Sequence, residues 1–375
     1  LASLVIFIFQ KYRIPAIVGF LITGVLTGPH GFGLVKNHED IEILAEIGVI
    51  LLLFTIGIEF SLKTLIRIRR TVFFGGALQV GLTILFAFVI FQLLGNDLNQ
   101  SVFMGFLAAL SSTAVVLRVL QEKGDVHSRY GQTSTGILIF QDIAIVPMIL
   151  FIPLLAGSNE QSLLSFAWVM VKAIVVIVLA IASARYLIPK LLHHIAKTRS
   201  QELFLLTILV IAFAVAWLTS SVGLSLALGA FLAGLIISES DYSHEAFGNI
   251  IPFRDIFTSF FFVSIGMLLD VTYVIQNPVL IIAVSAGVIL LKTIINGFVA
   301  FVLGLPFRIT VMVGLVLSQV GEFSFILSKP GLQQNLISES YYQLFLAVAV
   351  ISMALAPMII NLAPKLAAFF ERLPL

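Results

Sequence analysis

Between its charged clusters this chain is apolar in long runs, most of them near the ~20 residues that a helix needs to cross the hydrocarbon of a bilayer. Splitting it at polar clusters, Gly/Pro punctuation and charge runs leaves about thirteen segments. They cover approximately 1–10, 14–28, 41–62, 71–94, 101–120, 131–156, 162–190, 202–220, 223–238, 247–269, 278–304, 309–328 and 341–364. The first is short and is read as the remnant of a longer helix, with no features of a cleavable signal peptide. Several others are short or interrupted, which in membrane transport proteins marks broken helices.

Composition excludes the water-soluble alternative. Charged residues make up 11% of the chain and hydrophobic ones 60%, against roughly 25% charged in an ordinary soluble domain. A chain of 375 residues still has a wide surface to cover, and so few charges cannot cover it in water. The expected fold class is an all-α polytopic membrane protein. There are no cysteines, which rules out disulfides, thiolate metal sites and cysteine nucleophiles.

Lys and Arg fix the expected orientation, because cytoplasmic loops retain positive charge. Alternate loops hold Lys11 and Arg13, Lys63 through Arg70, Arg118 through Arg129, Arg185 through Arg199, Arg254, Arg308, and finally Lys365 and Arg372. The opposite loops hold only Lys36 and Lys329, and Lys172 and Lys292 lie within apolar segments. The N-terminus is therefore expected outside and the C-terminus in the cytoplasm.

The chain also repeats itself at an offset of about 210 residues. VGFLITG from Val18 aligns with LGAFLAG from Leu228, and FTIGIEF from Phe54 with VSIGMLL from Val263. MGFLAALSST from Met104 aligns with VGLVLSQVGE from Val313, and IAIVPMIL from Ile143 with MALAPMII from Met353. Four matches in order imply two five-helix repeats, about 14–156 and 223–368, linked by helices over 162–220. An odd number of crossings separates their starts, so the repeats are inverted, an arrangement that places a site near the midplane where broken helices meet.

Ionisable side chains deep in an apolar span are costly and point to function. Asp142, in GILIFQDIAIVPMIL, sits near the centre of its segment. It is read as a carboxylate that binds a monovalent cation when ionised and a proton when neutral; a structural carboxylate capped by hydroxyls is the plainer alternative. Gln141 offers an amide oxygen, but adjacent helical residues diverge by about 100°, so its ligation stays open. Pro147 and Pro153 downstream are expected to bend the helix.

Ser111, Ser112 and Thr113 lie mid-span and are matched in the other repeat by Gln319-Val320-Gly321-Glu322. Polar and small residues there suit unwound stretches whose half-helix ends reach an ion; packing by small residues is the alternative. Glu322 is expected to stabilise a half-helix N-terminus more than to ligate. Lys292, in VILLKTIINGF, is expected to point inward and pair with Asp142 when no cation is bound, against a lysine that snorkels to the interface. Asp270 and Glu59 are read as interfacial. GxGxxG, P-loop and HExxH patterns do not occur, and the six His, His193-His194 among them, lie in loops or near segment ends.

These residues carry a resemblance. GFLITGVLTGPHGFGLV, LAEIGVILLLFTIGIEFSL, LSSTAVVLRVLQEKG, GILIFQDIAIVP, FFFVSIGMLLD and LSQVGEFSFIL resemble, in order and spacing, the bacterial monovalent cation:proton antiporter-2 family, the branch of Kef-type potassium/proton exchangers. The resemblance implies a thirteen-helix, sodium/proton-antiporter-like fold with crossed discontinuous helices, a homodimer, and a multi-pass place in the bacterial inner membrane. It implies Asp142 as ion carrier, Gln141 as its motif partner and Lys292 as the intramembrane basic residue. Val320-Gly321 stands where the family often has two glycines. The resemblance also implies a cytosolic nucleotide-binding domain beyond Leu375 and an ancillary regulatory subunit; SESDYSHEAFGNIIPFRD only partly resembles the loop of glutathione-gated members.

The expected function is secondary exchange of K+, favoured over Na+, for H+, with no cofactor in this region and no nucleic-acid partner. A Na+/H+ antiporter of the same fold is the near alternative. A gated potassium efflux channel is the distant one, and no TVGYG-like filter is present. An intramembrane enzyme lacks a second catalytic group beside the one mid-span carboxylate.

Overall fold

The computed structural model describes residues 16–35, 38–59, 70–157, 171, 175, 188–221 and 226–371. They are helical, with no strand among them. Seven helical stretches among them are long and apolar enough to cross a bilayer, and four shorter apolar helices accompany them. The protein is thus a multi-pass membrane protein. The expected segments 1–10 and most of 162–190 lie outside the described residues.

Two compact units divide the chain, the first comprising Leu1–Lys36, Ile68–Ala156 and Ile265–Leu375, the second Asn37–Arg67 and Gly157–Ser264. In the first, α1 covers Ala16–Thr27 and a π-helical turn at Arg70–Gly75 leads into α2, Gly76–Leu93. Next come α3 (Leu98–Ala109), α4 (Thr113–Lys123) and α5 (Arg129–Leu155). The second unit holds α6 (His38–Glu59), α7 (Ile188–Ala196), α8 (Gln201–Ser221), α9 (Leu226–Ser238) and most of α10 (Ser243–Met267). The first unit resumes with α11 (Val271–Gln276), α12 (Pro278–Val302), α13 (Phe307–Val316), α14 (Phe323–Gln333) and α15 (Glu339–Glu371).

Local chemistry sets the ends. Asp97 accepts the N–H of Gln100 at the start of α3, and Ser128 accepts that of Gly131 at the start of α5, each satisfying a backbone donor that a helix start leaves free. Gly124, at φ 69°, ends α4 in the left-handed region. Two expected single segments, 101–120 and 309–328, are each two helices: extended backbone at Leu110 and Ser112 separates α3 from α4, and residues 317–322 separate α13 from α14. The expected bend in the helix carrying Asp142 does not interrupt it; α5 runs through Pro147 and Pro153.

The outward faces are apolar and the inward faces mixed, the reverse of a soluble helix. On α12, Ile282, Leu290, Ile294, Phe298 and Phe301 are exposed, whereas Lys292, Asn296 and Val299 are buried. One apolar core joins Val116 and Leu120 of α4, Ile137 and Leu138 of α5, Val299 of α12, Val313 and Val316 of α13 and Ile360 of α15, and it anchors one half of each broken pair, α4 and α13, against the unbroken helices α5, α12 and α15.

Close helix approach recurs in both units. In the second, a Cβ on Gly57 of α6 would run into the Phe231 carbonyl oxygen of α9, and one on Gly234 into that of Phe54. In the first, a Cβ on Gly266 would run into the Leu21 carbonyl oxygen, with the Cα of Gly24 3.0 Å away.

Candidate ion-binding site

Two helix interruptions meet within the first unit. Gly321 N–H donates to the Leu110 carbonyl (3.0 Å), and Ser111 Oγ donates to that of Leu317 (3.0 Å). A Cβ at Gly321 would collide with the Ser111 carbonyl, so only glycine lets the two backbones come this near.

Breaking a helix strands backbone groups that must find partners where water is excluded. Four consecutive carbonyls at the end of α3 are each supplied. Ser324 Oγ donates to Leu107 (2.8 Å), Lys292 Nζ to Ala108 (2.7 Å) and Leu110 (2.8 Å), and Gln79 Nε2 to Ala109 (3.1 Å). The N–H of Ser111 donates to Gln141 Oε1 (2.7 Å), and that of Val320, in the other interruption, to Ser352 Oγ (3.2 Å). Asn296 Nδ2 donates to the Lys292 and Leu317 carbonyls (2.7 and 3.1 Å).

The N-terminus of α4 gathers the acidic groups. Ser112 caps it by accepting the N–H of Val115 (3.2 Å). Thr113 Oγ1 donates to Asp142, 3.0 Å from Oδ1 and 3.2 Å from Oδ2, and the next N–H, that of Ala114, donates to Glu322 Oε1 (3.2 Å). Asp142 is 7% exposed and Glu322 4%. Two carboxylates from distant parts of the chain therefore flank one half-helix N-terminus, whose partial positive charge favours anions. An ion approaching Asp142 meets a carboxylate and a hydroxyl, oxygen ligands of the kind that suit a hard monovalent cation.

Of the residues expected from the sequence, the structure brings together Asp142, Gln141, Ser111, Ser112, Thr113, Lys292 and Glu322. Three relationships are set by the fold. Lys292 is fully buried, and its Nζ donates to the carbonyl end of α3, which the break leaves without helical partners. Gln141 engages its amide oxygen with backbone. Gln319 is fully buried, yet among the described residues neither amide atom has a hydrogen-bond partner, nor does Glu322 Oε2. Gln79, Asn296, Ser324 and Ser352 were not anticipated; the only signal each gives is a polar side chain inside an apolar run. Asp270 caps α11 by accepting the N–H of Thr272 and lies 3.7 Å from His30; the side chain of Glu59 lies outside the described residues.

Comparison with known proteins identifies the family. The KefB protein of Alkalimonas amylolytica, named for K(+) efflux antiport, is 35% identical over 97% of this chain. YbaL of Escherichia coli (strain K12), named for cation/proton antiport, is 36% identical over 97%. The chain spans 55% of the length of the first and 67% of the second. The solved structure of the sodium proton antiporter MjNhaP1 from Methanocaldococcus jannaschii at pH 8 superposes with a TM-score of 0.69 at 18% identity, covering 98% of this chain and 95% of that one, and so shares its fold. The family model described as sodium/hydrogen exchanger, transmembrane, matches residues 1–363, and the chain belongs to that family.

Proposed function

We propose that this chain exchanges a monovalent cation, potassium in preference to sodium, for protons by alternating access at Asp142. The observation that carries the reading is the buried Asp142 carboxylate, held by Thr113 at the half-helix N-terminus beside two meeting interruptions. Such a carboxylate has two competing occupants, a cation when ionised and a proton when neutral, and that competition is the coupling an exchanger needs. Gln141, Ser111, Ser112 and Thr113 complete the ion- and proton-binding set, and Lys292, Glu322 and Gln319 support it and balance its charge. The preference for potassium rests on relatives named for potassium efflux; MjNhaP1, named a sodium proton antiporter, keeps sodium as the near alternative.

The architecture proposed with it is thirteen spans in two inverted repeats, about 14–156 and 223–368, joined by helices over 162–220. Repeated contacts support this. At the sequence offset, Gly57 corresponds to Gly266, Phe231 to Leu21 and Gly234 to Gly24, and the Gly57 contact with Phe231 and Gly234 recurs as that of Gly266 with Leu21 and Gly24. Likewise Ser111 corresponds to Val320 and Asp142 to Ser352. The N–H of Ser111 is capped by Gln141 of α5 and that of Val320 by Ser352 of α15, in each case from the helix after the broken pair, at positions one residue apart at the offset. We further place the protein in the bacterial inner membrane as a homodimer with the N-terminus outside. A cytosolic nucleotide-binding domain and an ancillary regulatory subunit are the partners proposed for regulation.

Proton flux into proteoliposomes after addition of K+, Na+ or Li+, compared between the wild-type protein and Asp142→Asn, tests the reading. Cation-driven proton movement that the substitution abolishes is expected, with K+ the most effective ion. Equal flux in the mutant removes Asp142 as the carrier; cation flux without proton movement makes the protein a channel.

A further inference from the structure

The hydrogen bonds around Gln79 can close in only one sense. Thr83 Oγ1 donates its single hydrogen to the Gln79 carbonyl (2.8 Å), so toward the Gln79 side chain (3.1 Å) it accepts. The Ala109 carbonyl can only accept, so it too faces Gln79 Nε2 (3.1 Å). Both donors of that amide are then spent and Gln79 Oε1 must face a donor, which is Gln141 Nε2 at 2.7 Å. Gln141 Oε1 therefore turns to the Ser111 N–H, a group that can only donate (2.7 Å). A flip of either amide, ordinarily the uncertain element of such a network, would set oxygen against oxygen at one end and nitrogen against N–H at the other. Gln79, Thr83, Ala109, Ser111 and Gln141 are all fully buried, so no water relieves such a mismatch.

We infer that Gln79 is a positioning residue for cation selectivity: with Gln141 it forms a two-amide brace that holds the end of α3, at Ala109, and the unwound stretch itself, at Ser111, at a fixed separation. Two residues beyond Ser111 stands Thr113, the hydroxyl on Asp142. The brace thus sets where the unwound backbone stands relative to the carboxylate. Within the proposed binding set, Gln141 exerts its effect through the backbone, its amide oxygen holding the Ser111 N–H. Discrimination between cations of different radius depends on how tightly the ligand spacing is held, and a brace of one register holds it without placing any charge near the ion. This inference rests on the exchange reading above and assigns to Gln79 and Gln141 the geometry of that site.

The test uses the full-length protein in proteoliposomes and, separately, cation-dependent thermal stabilisation of the purified protein in detergent. Gln79→Met removes the polar end at nearly constant size; Gln79→Asn keeps the amide but cannot reach both Ala109 and Gln141, and supplies the reading should the methionine variant fail to fold. The readout is the ratio of apparent affinities for K+ and Na+, which general loss of structure would not move. A shift of about fivefold in that ratio is expected for Gln79→Met, the scale of one net hydrogen bond. Gln141→Met should shift it in the same direction, and the double variant should go no further than Gln141→Met alone, because the residues act as one chain. A Gln79 variant that lowers thermal stability yet keeps the wild-type ratio overturns the inference, as does a double variant whose effects multiply. Failure of the exchange reading is seen separately, as equal proton flux in wild type and Asp142→Asn. Wild-type protein that neither exchanges nor is stabilised by either cation overturns both.

Discussion

The hydroxyl of Thr113 lies 3.0 Å from one carboxylate oxygen of Asp142 and 3.2 Å from the other, although the two residues are 29 positions apart. Thr113 opens a half-helix whose start exists only because the span breaks at Leu110–Ser112. The break therefore delivers the hydroxyl as well as the unwound backbone to the carboxylate.

Thr113→Val keeps the shape and removes the hydroxyl. A hydrogen bond to a charged group contributes about 1.5–3 kcal/mol, so the apparent cation affinity should fall roughly 10- to 100-fold, while Thr113→Ser stays within a few-fold of wild type. Half-saturating cation concentrations in proteoliposomes decide it. An unchanged value for Thr113→Val removes the hydroxyl from the site.

Competition between proton and cation for one carboxylate dictates a pH profile. Below the titration of Asp142 most of the site carries a proton that a cation must displace. The half-saturating cation concentration should fall about tenfold per unit as pH rises, then level off once the site is ionised. A half-saturation that ignores pH while only the maximal rate changes would place proton and cation on different groups.

Lys292→Met should destabilise the fold before it affects selectivity. The substitution leaves the Ala108 carbonyl without its charged donor, while Leu110 keeps the N–H of Gly321. Losing a buried charge-assisted contact costs about 2–3 kcal/mol. Chemical denaturation in detergent should show a fall of this size; a variant as stable as wild type would mean that the carbonyls need no charged donor.

Gly321→Ala forces a Cβ onto the Ser111 carbonyl and should cost roughly 1–3 kcal/mol as the interruptions separate, with loss of exchange. Gly81, in α2, has open space around its Cβ position, so Gly81→Ala should be neutral or stabilising by about 0.5–1 kcal/mol. Unfolding curves for both separate a steric effect from a general dislike of substitution.

Sequence alone determined much about this protein because bilayer physics leaves few choices. A chain so poor in charge must take hydrocarbon as its solvent, and an ionisable group inside an apolar run, such as Asp142 or Lys292, stands out at once. The polar stretches at Ser111–Thr113 and Gln319–Glu322 marked where helices stop for the same reason. What Lys292 binds was decided only by tertiary structure. A buried ammonium needs acceptors, and nothing in the sequence points it to carbonyls some 180 residues away until the fold brings them within reach. Gln79 was harder to read for the same reason. An amide inside an apolar helix has no direction of its own, and it acquires one only when the fold puts an acceptor-only carbonyl at one end of the chain and a donor-only N–H at the other.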